Sequence, residues 1–359
     1  MEATGKNAAA PDSPGVVQNF RRLFSRAAAD GRGEALFGAD ALEKAAAALR
    51  RGAVAGMGDG VGFYFEFPFT GAPRMDLMVQ YDCCDLPSPV DFCEGDGCGF
   101  RPFFEDCAAD PALSDYICGF SFDISDMADK GEEAKPGVYL LPPVHRANAD
   151  YVPPMLTRLG GEDRVPRVME AFAAAPSCWQ PYYAGYMPGR RGAPTRLGFL
   201  VSMEGRARYA KEPERFLEDA EAFAGLAFSD GGRGTLAFLA ESGELYDLQF
   251  DLCPDGDFAD DLGVTLHPWG NDADPRSSAG FLEKSFAGKL MERIEAVGLA
   301  DARWRLMDKA CCGVQRVMRT GGRLRRIGDM VALNAVKVRF RRGEAYLAKG
   351  YLFARSRIL

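Results

Sequence analysis

The most regular alternation of apolar and polar positions runs from Met330 to Ala354. Val336, Val338 and Phe340 alternate with Lys337, Arg339 and Arg341. After Arg342-Gly343-Glu344, Tyr346, Ala348 and Gly350 alternate with Leu347, Lys349, Tyr351 and Phe353. A period of two over this length predicts two strands, and the glycine in the short gap predicts a hairpin. A second hairpin is predicted over Gly62–Tyr81, with its turn at Thr70-Gly71-Ala72-Pro73. There Phe63, Phe65, Phe67 and Phe69 alternate with Tyr64 and Glu66. An all-phenylalanine face must be covered by helices or another sheet, which leaves Glu66 on the opposite face beside Tyr64.

Helical spacing of apolar residues predicts helices over Val17–Ala29, Ala39–Arg50, Val165–Ala175, Pro213–Phe228, Ala279–Val297 and Ala302–Cys312. Asp40 is the expected N-cap of the second, and Ser277 or Ser278 that of the fifth. Further strands are expected over Val138–Leu141, Thr195–Met203, Gly234–Ala240, Leu245–Leu252 and Gly263–Pro268. Strand pairs separated by helices at both ends of the chain point to an α+β fold. Hairpin links make its sheet antiparallel, built on an αββα-type repeat. The Ala/Pro/Asp-rich stretch Met1–Gly15 is expected to be disordered. Residues 16–359 are read as a single domain, with 82–135 an acidic, cysteine-rich insertion or lid.

Charge adds an asymmetry. The chain of 359 residues carries a net charge of -8, which argues against general nucleic-acid binding. Between Asp82 and Lys135 there are fourteen acidic residues against three basic ones, and from Arg316 onward twelve basic against two acidic. Such opposed regions attract each other or serve different partners, a basic partner for the acidic segment among them. No apolar run is long enough for a membrane span. No basic stretch followed by an apolar core opens the chain. A cytoplasmic protein is therefore expected, and its ten cysteines are expected to be reduced.

The sequence carries few familiar catalytic signatures. Two histidines, His145 and His267, do not assemble a hydrolase triad with local support. No phosphate loop or dinucleotide fingerprint occurs, and Gly231-Gly232-Arg233-Gly234 and Gly321-Gly322-Arg323 read as turns. Six cysteines fall between Cys83 and Cys118 without a C-x-x-C pair, so thiols without a metal are expected there. The carboxylates Asp123 with Asp126, and Asp257 with Asp260 and Asp261, are either solvated loop acids or a place for Mg2+. The aromatic run Trp179, Tyr182, Tyr183, Tyr186 is either core packing or the wall of an apolar ligand cavity.

The cationic row Lys337, Arg339, Arg341, joined by Lys349, has two readings: a solvated outer face, or an anion site such as a diphosphate site. Asp247, Gln249 and Asp251 alternate with Leu248, Phe250 and Leu252, and Thr265 shares a face with His267. Glu66, Arg196, Gln249, His267, Lys337, Arg339 and Lys349 can thus all project from one side of a sheet. If that sheet closes, its polar side becomes a lumen and its helices lie outside.

Strand pairs with helices outside and polar residues inside resemble the αββα-barrel (ABBA) aromatic and peptide prenyltransferases. The closing K-V-R-F and L-A-K-G-Y, with Lys337, Arg339, Lys349 and Tyr351, carry the nearest local likeness. Arg196 on T-R-L-G-F-L-V and Glu66 on F-Y-F-E-F suit the same roles. The C-terminal part also resembles little-characterised bacterial proteins encoded near natural-product genes, in which a helix ending like Ala296-Val297-Gly298-Leu299 precedes a similar hairpin. The resemblance covers Gly62–Tyr81 and Pro194–Ala354. It departs at Val264–His267, where the family's lysine-x-tyrosine pair is absent, and the acidic cysteine segment has no counterpart.

The resemblance implies a closed barrel and transfer of an isoprenoid group from a prenyl diphosphate to an aromatic or peptide acceptor, in natural-product (RiPP-like) biosynthesis. By the same resemblance Glu66 is catalytic, holding or deprotonating the acceptor. Arg196, Gln249, His267, Lys337, Arg339, Lys349 and Tyr351 bind substrate. No cofactor is certain; Mg2+ is the candidate. Two rival readings stand beside it: a non-catalytic peptide-binding or accessory protein of a modification pathway, favoured by an open sheet, and a metal protein built on the cysteines.

Overall fold

The computed structural model describes residues 15–55, 61–86, 90–93, 99–113, 115–124, 135–142, 148–190, 192–268, 286–320 and 323–359. Five strand pairs follow one another, each preceded by helix. Helices α1 (Val16–Ala27), α2 (Arg32–Phe37) and α3 (Ala41–Gly52) precede β1 (Gly62–Pro68) and β2 (Asp76–Asp82). Helix α4 (Arg101–Ala109) precedes β3 (Ile117–Phe122) and β4 (Gly137–Leu141). Helices α5 (Asn148–Arg158) and α6 (Val165–Ala174) precede β5 (Trp179–Tyr186) and β6 (Thr195–Val201). Helices α7 (Met203–Lys211), α8 (Pro213–Ala224) and α9 (Asp230–Glu241) precede β7 (Leu245–Leu252) and β8 (Phe258–Leu266). Helix α10 (Phe286–Ala296) and strand β9 (Cys312–Thr320) lead into the closing pair, β10 (Arg323–Arg341) and β11 (Glu344–Ile358).

All neighbouring strands are antiparallel, in the order β11-β1-β2-β3-β4-β5-β6-β7-β8-β10, and β10 also pairs with β11. That last pairing closes ten strands into a ring. The fold is a closed αββα barrel. β9 stands outside the ring, paired to the first half of β10 from Arg323 to Val331.

The apolar core is the layer between barrel and helices. Phe63, Phe65, Phe67 and Phe69 are fully buried on the outer face of β1. Rings from Phe20 and Phe24 of α1 and Phe37 of α2 pack on them at centroid distances of 5.3–6.0 Å. Phe104 of α4 stacks on Phe120 of β3 at 4.5 Å. Val336, Val338 and Phe340 are buried on the outer face of β10, which sends Lys337 and Arg339 to the lumen. A one-residue slip would reverse every one of these directions, so the register is fixed by the apolar face. No described helix is long and apolar enough to cross a membrane.

Several expectations are corrected. Gly234–Ala240 is helical, within α9, and not a strand. Ser229 caps that helix by accepting from the Gly232 amide at 3.0 Å. Its Gly232 serves close packing: a Cβ there would sit 1.8 Å from the Gly343 carbonyl oxygen. The helix expected over Ala302–Cys312 is two short 3-10 turns, Ala302–Leu306 and Asp308–Ala310, followed by β9. Met203–Lys211, Asn148–Arg158 and Arg32–Phe37 are helices that the apolar spacing did not mark. Asp40 occupies the N-cap position of α3 without a side-chain hydrogen bond there. The 82–135 segment is not solely an insertion, because it supplies α4 and the barrel strand β3. The tail up to residue 14, His145, Asp126, Ser277 and Ser278 lie outside the described residues.

Candidate functional site

The lumen is built by the polar halves of the alternating strands. Cross-strand pairing sets the neighbours: Glu66 lies opposite Tyr351, Arg196 opposite Asp251, Gln249 opposite Gly198, and Lys337 opposite both Thr265 and Lys349. All eight residues singled out from the sequence line this lumen. It holds two cavities. The larger, about 700 Å³, is charged; Lys337, Arg339, Lys349, Arg341 and Arg74 are among its walls. The smaller, about 190 Å³, is walled by Tyr64, Tyr139, Tyr182, Tyr183, Tyr246 and His267, among others. Glu66, Arg190, Arg196, Gln249, Lys337 and Tyr351 line both, and so mark where the two meet. Gly198 leaves room for the Tyr183 ring, whose edge would come within 2.2 Å of a Cβ there.

Eight lysines and arginines and six carboxylates line the larger cavity, an excess of two positive charges. Most of the cations already have partners. Arg196 donates to both oxygens of Asp251 at 2.8 and 2.9 Å, and Arg190 does the same to Asp123. Lys349 donates to Glu66 and lies 3.4 Å from Asp76. Arg339 and Arg341 share Asp261. Lys337 differs. Among the described residues it makes no ion pair or hydrogen bond, and its ammonium lies 5.0 Å from the centre of the Tyr351 ring. Gln249 donates to the Tyr183 hydroxyl, while its own Oε1 and the Nε of Arg339 are buried without a partner among the described residues. These unmatched atoms face a cavity, where a polar ligand can satisfy them.

Burial and charge act in opposite senses on the titrating groups. Burial raises the Glu66 carboxyl, but Lys349 and Lys337 outweigh it and hold the group well below the usual carboxylate range. Glu66 is therefore an anion. Asp247, which accepts from the Thr265 hydroxyl at 2.8 Å, is instead pushed up by burial. Burial lowers Lys337 to about 8, against the partial support of Asp247 and Glu66. Because its folded value lies below the usual 10.5, the unfolded chain binds more protons between about 8 and 10.5, and this group makes stability rise with pH there. For anion binding the sign is the reverse. Affinity for inorganic diphosphate should fall as pH rises through about 8, measured by titration calorimetry relative to Lys337→Met, which should lack that step. An identical pH profile in both proteins would show that Lys337 does not meet the anion.

Of the carboxylates considered for Mg2+, Asp126 lies outside the described residues, and two of the others are engaged by arginines. Asp123 is committed to Arg190 and Asp261 to Arg339 and Arg341. Among the described residues, the only group of three or more potential ligands within metal-binding distance is Cys83, Cys107 and Cys118, whose sulfurs lie within 4.8 Å of one another. The sulfurs of Cys83 and Cys118 hydrogen-bond at 2.8 Å, and these two thiols draw the Cys107 thiol down from its ordinary value. They come from the end of β2, from α4 and from β3, a convergence that linear spacing does not reveal.

Sequence reasoning missed Arg190, Tyr139 and Tyr246 as lumen residues, and it read Asp123 only as a loop acid or a place for Mg2+. The alternation of Asp247 and Asp251 was visible, but their partners depend on strand register.

No family model matches the chain, and no curated protein is significantly similar to it. Among solved structures it is similar to the ternary complex of prenyltransferase PriB with L-tryptophan and dimethylallyl thiolodiphosphate. That match has 10% identity, 94% of this chain and 95% of that chain covered, and a TM-score of 0.47. The apo form of PriB matches at 11% identity, 94% coverage of each chain and a TM-score of 0.46. The fold assignment rests on the strand pairing and not on this likeness.

Proposed function

We propose that the protein is a transferase that moves an isoprenoid group from a prenyl diphosphate to an aromatic or peptide acceptor in natural-product biosynthesis. One observation carries the reading: a closed lumen in which a cation-rich cavity meets a tyrosine-walled one at Glu66, Lys337 and Tyr351. The diphosphate takes the charged cavity, beside Lys337, Arg339, Lys349 and Arg196. The isoprenoid chain and the aromatic acceptor take the tyrosine end.

The C–O bond to the diphosphate breaks with both electrons leaving on oxygen. Fixed cations around the departing diphosphate stabilise the charge as it develops, commonly the largest catalytic contribution. The faces of the tyrosine rings stabilise the allylic cation and keep water from it. The acceptor ring then supplies the electron pair for the new bond and loses a proton. Glu66, held as an anion by its lysines, accepts a hydrogen bond from the acceptor or takes that proton. Gln249 and His267 position the acceptor. Any Mg2+ arrives with the diphosphate, since Asp123 and Asp261 are bound to arginines and Glu66 to Lys349.

The closed ring does not offer the open sheet face on which an accessory-protein reading depends. The reading is tested by incubating the chain with dimethylallyl, geranyl or farnesyl diphosphate and an aromatic peptide. Mass spectrometry should show one isoprenoid added to the acceptor, with diphosphate released. No adduct with any of the three, with or without Mg2+, would remove the reading.

A further inference from the structure

The ribbon formed by β9 and the first half of β10 extends beyond the ring, and the prenyl-transfer chemistry does not use it. Among the described residues β9 pairs with β10 alone, so its other edge presents backbone groups that none of them pairs. Such an edge is a template for another strand. Residues 312–328 contain five arginines and no acid, in a chain whose net charge is -8.

The two faces of the ribbon differ. On one, Arg316 turns to Asp329 at 3.1 Å beneath α1, and Ile327 is buried. On the other, Val317 lies opposite Arg326, Leu324 opposite Arg319, and Gly328 opposite Arg357. Val317, Leu324 and Leu359 are 63%, 72% and 64% exposed there. Aliphatic side chains thus alternate with arginines on an open surface. Exposed apolar groups in such a cluster mark an interaction site more often than a solvated face.

That face continues the lumen wall. Along β11, Tyr351, Phe353, Arg355 and Arg357 follow one another on the same side, and Phe353 packs on Tyr64 at 4.8 Å. Along β10, Asn334 and Ala335 line the tyrosine-walled cavity before Lys337 reaches the charged one. The ribbon therefore stands beyond the acceptor end of the lumen. We propose that it docks an extended acidic segment of the peptide that carries the aromatic acceptor. The segment adds as a strand to the open edge of β9. Its carboxylates meet Arg319 and Arg326, and its aliphatic residues cover Val317 and Leu324. Backbone pairing supplies affinity and the alternate side chains supply selectivity. Roughly 35 Å of strand separates Arg326 from Lys337, at about 3.3 Å per residue. The acceptor aromatic should therefore lie about ten extended residues from the acidic segment.

The assignment of this segment to the acceptor peptide rests on the transfer reading, but docking is measurable without catalysis. The probe is a fluorescein-labelled synthetic peptide of alternating Glu and Val, joined by a Gly-Ser spacer to one Trp. Fluorescence anisotropy with the full chain should show salt-sensitive binding. Arg319→Glu with Arg326→Glu should weaken it at least tenfold, about 1.4 kcal/mol. Leu324→Asp, a single change at an exposed site, should weaken it as well. Both variants should retain the wild-type melting temperature and affinity for inorganic diphosphate. Equal binding by the variants, equal binding of a Lys-for-Glu peptide, tighter binding of single-stranded DNA or anionic vesicles, or a dimer joined through β9 would each overturn the proposal. If the peptide docks but no isoprenoid is transferred, the docking site stands and the transfer reading fails. If an isoprenoid diphosphate binds but the peptide does not, the reverse holds.

Discussion

Replacing Arg196 with alanine should destabilise the fold by about 3–5 kcal/mol, read from urea unfolding. Arg196 and Asp251 are 5% and 9% exposed, and the guanidinium donates to both carboxylate oxygens. Removing the cation leaves Asp251 buried, with Arg190 at 4.0 Å as a distant substitute. The double variant Arg196→Leu with Asp251→Leu should recover much of the loss, because a buried ion pair replaced by apolar residues is often nearly neutral. The effect should depend on pH. In the wild type, burial raises Asp251, but Arg196 outweighs it and holds the group below the usual carboxylate range. Its contribution is present above the unfolded value of 3.8 and is lost on acidification. In Arg196→Ala the carboxyl gains stability by taking a proton, so the gap to wild type should narrow as pH falls. A loss below about 1 kcal/mol at neutral pH, the range of exposed ion pairs, would show that the pair is solvated.

What the sequence disclosed followed from periodicity. The rows Phe63 to Phe69 and Val336 to Phe340 each have one possible buried side, so they placed Glu66 and Lys337 on the opposite, polar face before any register was known; that this face is a lumen depended on closure of the sheet, which periodicity alone does not fix. His267 and Gln249 followed from the same alternation on β7 and β8. Segments whose local pattern is governed by something else were not legible. The glycines of α9 read as turns, whereas Gly232 is set by its close contact with Gly343 in the β10–β11 hairpin, far along the chain. β3 was hidden in an acidic stretch because its outer face carries Cys118 and Phe120 beneath a short helix, with small Gly119 and Ser121 on its other face. β9 has one exposed face and five nearby arginines, and so lacks the apolar row that marks a core strand. The pairing of most lumen cations with carboxylates was equally invisible, since Arg196 and Asp251 are 55 residues apart.

Those pairings sharpen the expected consequence for ligand binding. Arg339 and Lys349 are held in place by carboxylates, while Lys337 faces the lumen without an ion pair among the described residues. Replacing Lys337 or Arg339 with alanine should weaken diphosphate binding by about 1.5–3 kcal/mol each, the range for a hydrogen bond to a charged group. Lys337→Ala should have the purer effect on binding, because no described carboxylate is left unpaired. Arg339→Ala releases Asp261 in part, although Arg341 retains it at 3.2 Å. Stability without ligand should change less than binding, since the lumen carries excess positive charge that repels itself.

The most direct test of the central claim is the melting temperature of the wild type and of Lys337→Ala against dimethylallyl and geranyl diphosphate. Binding to the folded chain should stabilise the wild type by about 2.7 kcal/mol at a hundred times the dissociation constant. Inorganic diphosphate should compete, and Lys337→Ala should require a higher ligand concentration for the same shift. Flat melting temperatures in both proteins across these ligands, with and without Mg2+, would contradict the assignment of the lumen as an isoprenoid diphosphate site.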